Sequence, residues 1–201
     1  MKEDIKKCCE ILRSGGTILY PTDTIWGIGC DATNAVAIDK VYKIKNRDGN
    51  IPLLVLVNSV AMLERYVVDM PQVAYDLIDC ATSPMTIIFD KARNLPENLV
   101  GQDGSIGIRV TNEPFTDQLI QQFRKPIVST SANIHGNPTA EIFQDIDGQI
   151  VDAVDYVVKY RQNDMKKAKS VFSLESDYAP MGDQPTAIAE LVAGVKNGCK
   201  S

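Results

Sequence analysis

With 201 residues, 44% of them hydrophobic and 23% charged, the chain can bury one sizeable core and carry an appendage. No apolar run approaches the roughly 20 residues of a membrane span, and a formal net charge of −5 argues against broad, nonspecific nucleic-acid binding. Five cysteines, odd in number and without a C-x-x-C pair, suggest neither a disulfide framework nor a zinc site. Met1 to Lys7 mixes charge signs and leads into no apolar signal segment, so a cytoplasmic location without a membrane partner is expected.

Ile5, Cys8, Cys9 and Leu12 fall at helical spacing, which predicts an amphipathic helix over residues 3–13 ended by Ser14-Gly15-Gly16. Cys8-Cys9 reads as one buried thiol and its helix neighbour. Thr17 to Tyr20 is a short buried strand, and Pro21 takes the chain out of a regular ladder. Thr22, Asp23 and Thr24 then emerge at the strand end, with Gly27 and Gly29 just beyond, allowing close backbone approach or positive φ. Taken alone, this stretch could equally be an ordinary strand-to-loop exit.

Asn34 caps a helix with the apolar face Val36, Ala37 or Ile38, Val41 and Ile44, which runs into the alternating cations Lys43, Lys45 and Arg47. Leu53 to Val57 is a continuous apolar run, the mark of a strand buried on both faces. Asn58-Ser59 caps a helix through about Tyr66, and Pro71 opens another through about Cys80. Thr86 to Phe89 is a strand, and 94–104 reads as a long surface connection. Ser105 to Val110 alternates, with Ile106, Ile108 and Val110 on one face and Ser105, Gly107 and Arg109 on the other. A helix over 114–123, a strand over 127–129 opening into a polar loop to Thr139, a small helix and a strand over 154–160 complete the compact part. This mixture predicts an α/β or α+β sheet protein.

Three segments place polar groups at expected strand ends: Thr22-Asp23-Thr24, Ser105 with Arg109, and Ser129 to Asn133. Lys45 and Arg47 add cations before a strand. Their joint chemistry is anion recognition, with Arg as a forked donor and Lys as a point charge. Singly, each cation has a plainer reading as a solvated helix end favourable to the dipole. The common phosphate cradles G-x-x-x-x-G-K-[ST] and G-x-G-x-x-G are absent, and no metal-ligand cluster stands out. The single histidine, His135, reads as an exposed loop residue.

These residues resemble a known family. Tyr20-Pro21-Thr22-Asp23-Thr24-Ile25-Trp26-Gly27, Lys45-Asn46-Arg47 with Pro52-Leu53, Gly107-Ile108-Arg109-Val110 and Val128-Ser129-Thr130-Ser131-Ala132-Asn133 occur in the order and spacing of the YrdC-like threonylcarbamoyl-AMP synthases. The resemblance covers about residues 3–168. It implies a twisted, largely mixed α/β sheet flanked by helices, with an open concave pocket. It also implies a nucleotidyltransferase that joins L-threonine, bicarbonate and ATP into threonylcarbamoyl-AMP with release of pyrophosphate. That product feeds threonylcarbamoyladenosine in tRNAs reading codons that begin with A.

By motif match, Lys45 and Arg47 would be the catalytic, phosphate-holding cations. Thr24, Arg109 and Ser129 would bind threonine. Ser105, Ser131, Asn133 and Thr139 would line the nucleotide site with Lys45 and Arg47. Magnesium would accompany ATP, with no tightly bound cofactor and no protein-held metal. The implied partners are the substrates, a downstream tRNA threonylcarbamoyl transferase and tRNA itself. A non-catalytic RNA- or nucleotide-binding relative is the alternative, against which the acidic balance and 6% aromatic content count. The chain departs from the family pattern at Trp26, where Tyr is usual, at Ile51, and at Lys167-Ala168-Lys169-Ser170, where a Pro-Ser-Thr-like segment is usual.

From Val171 the composition changes character. Residues 172–198 are similar to the N-terminal segment of the helicase-like ATPase of the DNA-repair excinuclease, with Gly182-Asp183-Gln184-Pro185 at its centre. Residues 1–170 are therefore expected to form the YrdC-like domain and 171–201 an atypical tail. One helix with the stripe Ile188, Leu191, Val192 and Val195 is expected there, through which the chain could oligomerise. No Walker loop accompanies the segment, so no ATPase is expected from it.

Overall fold

The computed structural model describes residues 1–47 and 53–164. The expectations for Ile51 and for everything from Lys167 onward, including the domain edge, the tail helix and the excinuclease likeness, lie outside the described residues.

The helix α1 (Lys2–Arg13) buries Ile5, Cys8, Cys9 and Leu12. Both cysteines are therefore core residues, not one core residue and an outward neighbour. The reason is that α1 packs against sheet strands on one side and against a second helix, α5 (Pro114–Phe123), on the other, so its buried stripe is wide.

Strands β1 (Ile18–Pro21) and β2 (Trp26–Gly29) form an antiparallel hairpin around the loop Thr22–Ile25. The sequence pattern does not resolve β2, since two glycines in four residues weaken any strand signal. The fold supplies the reason for one of them. The Tyr20 ring lies across Gly29 and its hydroxyl donates to the Val128 carbonyl at 3.2 Å. A Cβ on Gly29 would stand 2.6 Å from both Tyr20 Cε1 and the Val128 oxygen. Neither Gly27 nor Gly29 has positive φ, so close approach is what they provide. Gly29→Ala is expected to destabilise the protein by about 1–3 kcal/mol, because a backbone oxygen cannot step aside as a side chain can. An unchanged denaturant midpoint would show that the strand yields instead.

Asn34 Oδ1 accepts the amides of Val36 (3.1 Å) and Ala37 (3.2 Å) to cap α2 (Ala35–Ile44). Ala37, Ile38 and Val41 form its buried face, whereas Val36 is 68% exposed and does not belong to it. Val36 sits in the first turn and faces away from that stripe.

Strand β3 (Leu54–Val57) follows, and Ser59 Oγ caps a short α3 (Val60–Leu63). The helix stops before Tyr66 because the chain there turns to pair with 91–93, through Val68 N–H to Lys91 O and Arg93 N–H to Tyr66 O, both 2.9 Å. Helix α4 (Gln72–Cys80) leads to strand β4 (Ile87–Phe89) and then β5 (Ile106–Val110). Glu113 caps α5, β6 (Ile127–Ser131) follows, and α6 (Gly148–Ala153) precedes β7 (Tyr156–Val157). β7 is far shorter than the expected 154–160. Its ends are taken by side chains, Asp155 Oδ2 accepting the Thr17 amide at 2.7 Å and Asp4 Oδ1 accepting the Lys159 amide at 3.1 Å.

The sheet runs β4-β5-β3-β6-β2-β1-β7, with β3 parallel to β5 and antiparallel to β6. The register pairs Gly27 with Ser131, Leu54 with Ser129, and Leu56 with Arg109. Paired residues share a face and side chains alternate along each strand. Gly27, Ser129, Ser131, Leu54, Gly107 and Arg109 therefore lie on one face. Two glycines and two serines at its centre leave that face shallow.

Candidate functional site

At the tip of the β1–β2 hairpin, Thr22 Oγ1 donates to the Ile25 carbonyl at 2.6 Å and accepts the Thr24 amide at 3.2 Å. Its oxygen also lies 3.2 Å from Thr24 Oγ1, so the two hydroxyls are neighbours. Gly27 lies beneath them. A Cβ there would be 3.2 Å from Ser129 Oγ and 3.3 Å from Thr22 Cγ2, so its absence lets the loop and β6 approach.

The next loop residue, Asp23, meets Arg109 Nη1 at 2.9 Å, and both side chains are nearly buried. Nε and Nη2 of Arg109 donate to Thr86 Oγ1 at 3.1 and 3.0 Å. Thr86 stands beside Arg109 because Ile87 pairs with Ile108 across β4 and β5. The guanidinium is thus held from two sides. Asp23 also lines a cleft of about 160 Å³ with Ile78, Thr82, Ser83, Met85 and Asn112.

A second cluster forms where α2 ends. Lys45 is 2% exposed, and its Nζ donates to Ser131 O (2.6 Å), Asn133 O (2.7 Å) and Asn133 Oδ1 (3.3 Å). Ser131 Oγ bonds the same Asn133 Oδ1, and Asn133 Nδ2 donates to Asn137 O at 2.6 Å. The His135 amide donates back to Lys45 O at 2.9 Å, so the loop after β6 wraps around the lysine. Burial, and then the nearby charge of Arg47, lower the Lys45 pKa to about 8. At about 8, that value still leaves the ammonium charged at neutral pH.

The predicted residues thus fall into two groups on adjoining ground. Thr24, Ser129 and Arg109 gather around the hairpin tip, while Lys45, Arg47, Ser131 and Asn133 gather at the end of α2. Strand β6 joins them, because Ser129 and Ser131 are alternate residues on one face. Ser105 is half-buried just before β5, its amide bonded to Asp103 Oδ1 at 2.9 Å, and Thr139 is exposed. His135 is exposed.

Asp23, Thr86 and Arg161, the last with its Nη1 3.4 Å from the Thr22 carbonyl, join the site without having been assigned a role in it from the sequence. Asp23 is visible within its motif and needs only a partner. Thr86 and Arg161 carry no local signal, since each meets the site through long-range contact. Among the described residues, no group of three or more His, Cys, Asp or Glu could hold a metal ion.

Residues 10–181 match the family model Sua5_yciO_yrdC, described as telomere recombination. The chain belongs to the Sua5/YciO/YrdC family. A relative in Pseudoalteromonas translucida strain TAC 125, a threonylcarbamoyl-AMP synthase, is 35% identical over 151 residues, covering 73% of this chain and 80% of that protein. The structure of E. coli YciO aligns with a TM-score of 0.69 at 25% identity, over 78% of this chain and 77% of that one. P. abyssi Sua5 in complex with L-threonine aligns with a TM-score of 0.72 over 76% of this chain. At 23% identity that likeness shows the fold, and this chain spans 45% of the Sua5 length. The mixed sheet described above is therefore the Sua5/YciO/YrdC fold, and the family match takes in the hairpin tip, Lys45, Arg109 and the loop after β6.

Proposed function

We propose that this family member makes threonylcarbamoyl-AMP from L-threonine, bicarbonate and ATP, releasing pyrophosphate, as a nucleotidyltransferase that supplies tRNA threonylcarbamoyladenosine. The observation that carries the reading is the pair of separated, fixed cations in an acidic chain. Arg109 is anchored by Asp23 and Thr86, and Lys45 is buried against Ser131 and Asn133. Two anionic ends of a reaction, a carboxylate and a polyphosphate, need such a separation.

In this reading Arg109, Thr24 and Ser129 hold threonine, and Lys45 and Arg47 hold the phosphates. Ser131 and Asn133 contact the nucleotide, with Ser105 and Thr139 at its periphery. The threonine amine attacks bicarbonate carbon, forming a carbamate and releasing water. A carbamate oxygen then attacks the α-phosphate and pyrophosphate leaves. The substrate itself is the nucleophile, so the protein supplies positioning and charge stabilisation. Magnesium would enter as substrate, bound to the phosphate oxygens of ATP. The labile product would pass to a tRNA threonylcarbamoyl transferase in the cytoplasm. No helix among the described residues is long and apolar enough to cross a membrane.

The test is pyrophosphate release requiring threonine and bicarbonate together; release that ignores either one overturns the reading. Titration with tRNA supplies the second arm, since RNA binding that persists at saturating ATP and threonine would favour a binding module. The lysine adds a pH signature. In the free protein Lys45 loses its proton near pH 8, so ATP affinity should be flat below about pH 8. Above it, binding must recapture that proton, and affinity should fall by up to about tenfold per pH unit. Calorimetry between neutral and alkaline pH would show the bend, and Lys45→Met should remove it.

A further inference from the structure

Arg161 adopts φ +67°, a left-handed conformation that disfavours every residue with a Cβ. Its surroundings over-determine that conformation. Tyr160 stacks on Phe115 with ring centroids 5.8 Å apart, Gln162 Nε2 donates to Val158 O at 2.9 Å, and Gln144 Nε2 donates to Gln162 O at 2.7 Å. Arg161 Nε meets Asp164 at 2.7 Å. Held this way, its Nη1 lies 3.4 Å from both the Thr22 carbonyl and Glu113 Oε1. Glu113 is buried, and its other oxygen accepts Thr116 N–H at 2.8 Å and Thr116 Oγ1–H at 3.0 Å. That same hydroxyl lies 3.3 Å from the Pro21 carbonyl. Of the two consecutive carbonyls that lead into the hairpin tip, that of Thr22 thus faces Arg161 and that of Pro21 lies beside the Thr116 hydroxyl of α5. Arg161 also shares a small cleft of about 20 Å³ with Thr22, Thr24 and Trp26.

We infer that Arg161 is a positioning residue: with Glu113 it clamps the Thr22–Ile25 loop to α5 and so sets Thr24 and the Asp23–Arg109 pair for the amino-acid substrate. Strained backbone persists where the surroundings fix it, and it clusters at sites where geometry matters. The kinetic side of the inference rests on the proposed reaction; the structural side stands without it.

Arg161→Gly separates the guanidinium from the strain, since glycine is at ease at this φ. The expected result is a threonine KM raised about tenfold, with kcat and the ATP KM within about twofold of wild type. Hydrogen exchange at the Thr24 and Ile25 amides, whose bonds go to Thr22 Oγ1, should quicken by about tenfold, while the Val128 amide in β6 keeps its rate. Arg161→Lys should recover part of both effects. Where turnover depends on threonine, an unchanged KM or an unchanged exchange rate overturns the inference. Where turnover never depends on threonine, the proposed reaction fails, and exchange alone decides the clamp. Should Arg161→Gly not fold, Glu113→Gln keeps an acceptor for the helix cap, removes the charge, and is judged by the same readouts.

Discussion

Lys45→Ala is expected to lower kcat/KM for pyrophosphate release by tens to hundreds of fold while leaving the sheet folded. A hydrogen bond to a charged group contributes about 1.5–3 kcal/mol, on the order of ten- to a hundredfold in rate or affinity. The three bonds Lys45 makes within the protein, to Ser131 O, Asn133 O and Asn133 Oδ1, fix the loop after β6, while its charge stands where the phosphates are proposed to lie, so the expected rate loss is that of one charged contact. The alanine variant loses both the charge and the bonds that hold the loop after β6. Lys45→Met keeps most of the side-chain volume and should lose nearly as much activity, which shows that the effect comes from the ammonium and its bonds and not from an emptied cavity. Steady-state kinetics with circular dichroism would check both variants, and activity within a few-fold of wild type would remove Lys45 from the site.

Arg109→Met should give the largest loss of stability. It leaves the Asp23 carboxylate, 7% exposed in its side chain, without its countercharge. Breaking a buried pair from one side costs about 3–5 kcal/mol, because the remaining charge is desolvated and unpaired. The double variant Asp23→Asn with Arg109→Met should regain much of that stability, since no bare charge is left. It should not regain threonine binding, because no guanidinium is left to meet the carboxylate. Chemical denaturation and the threonine KM separate the two effects. A single variant as stable as wild type would show that water reaches Asp23.

Several parts of the site are legible in the sequence because their signals are local. Asn34 before an apolar stripe marks a helix start, and that helix delivers Lys45 at its end. The alternation over 105–110 places Arg109 and Gly107 on one face, which the β3–β5 register bears out. Other features have no local signal. Thr86 lies 23 residues before Arg109 and meets it only because β4 returns antiparallel beside β5. Arg161 reaches Thr22 from 139 residues away, at a backbone angle that its residue type would not suggest. Val36 fits the apolar stripe on hydrophobicity, yet it faces outward from the first turn of its helix.

What the amino-acid order determined by itself is the set of caps, turns and periodic stretches, and the polar segments that end the strands. Those depend on neighbours within a turn of helix or a few strand residues, so they can be read without the fold. Tertiary structure decided that a glycine-rich stretch is a strand, that both Cys8 and Cys9 are core, and that Lys45 is a buried ammonium with a lowered pKa. The reason is that desolvation and close approach depend on what arrives from distant parts of the chain. A hydrophobic pattern says that a face needs covering, and only the packed sheet says what covers it.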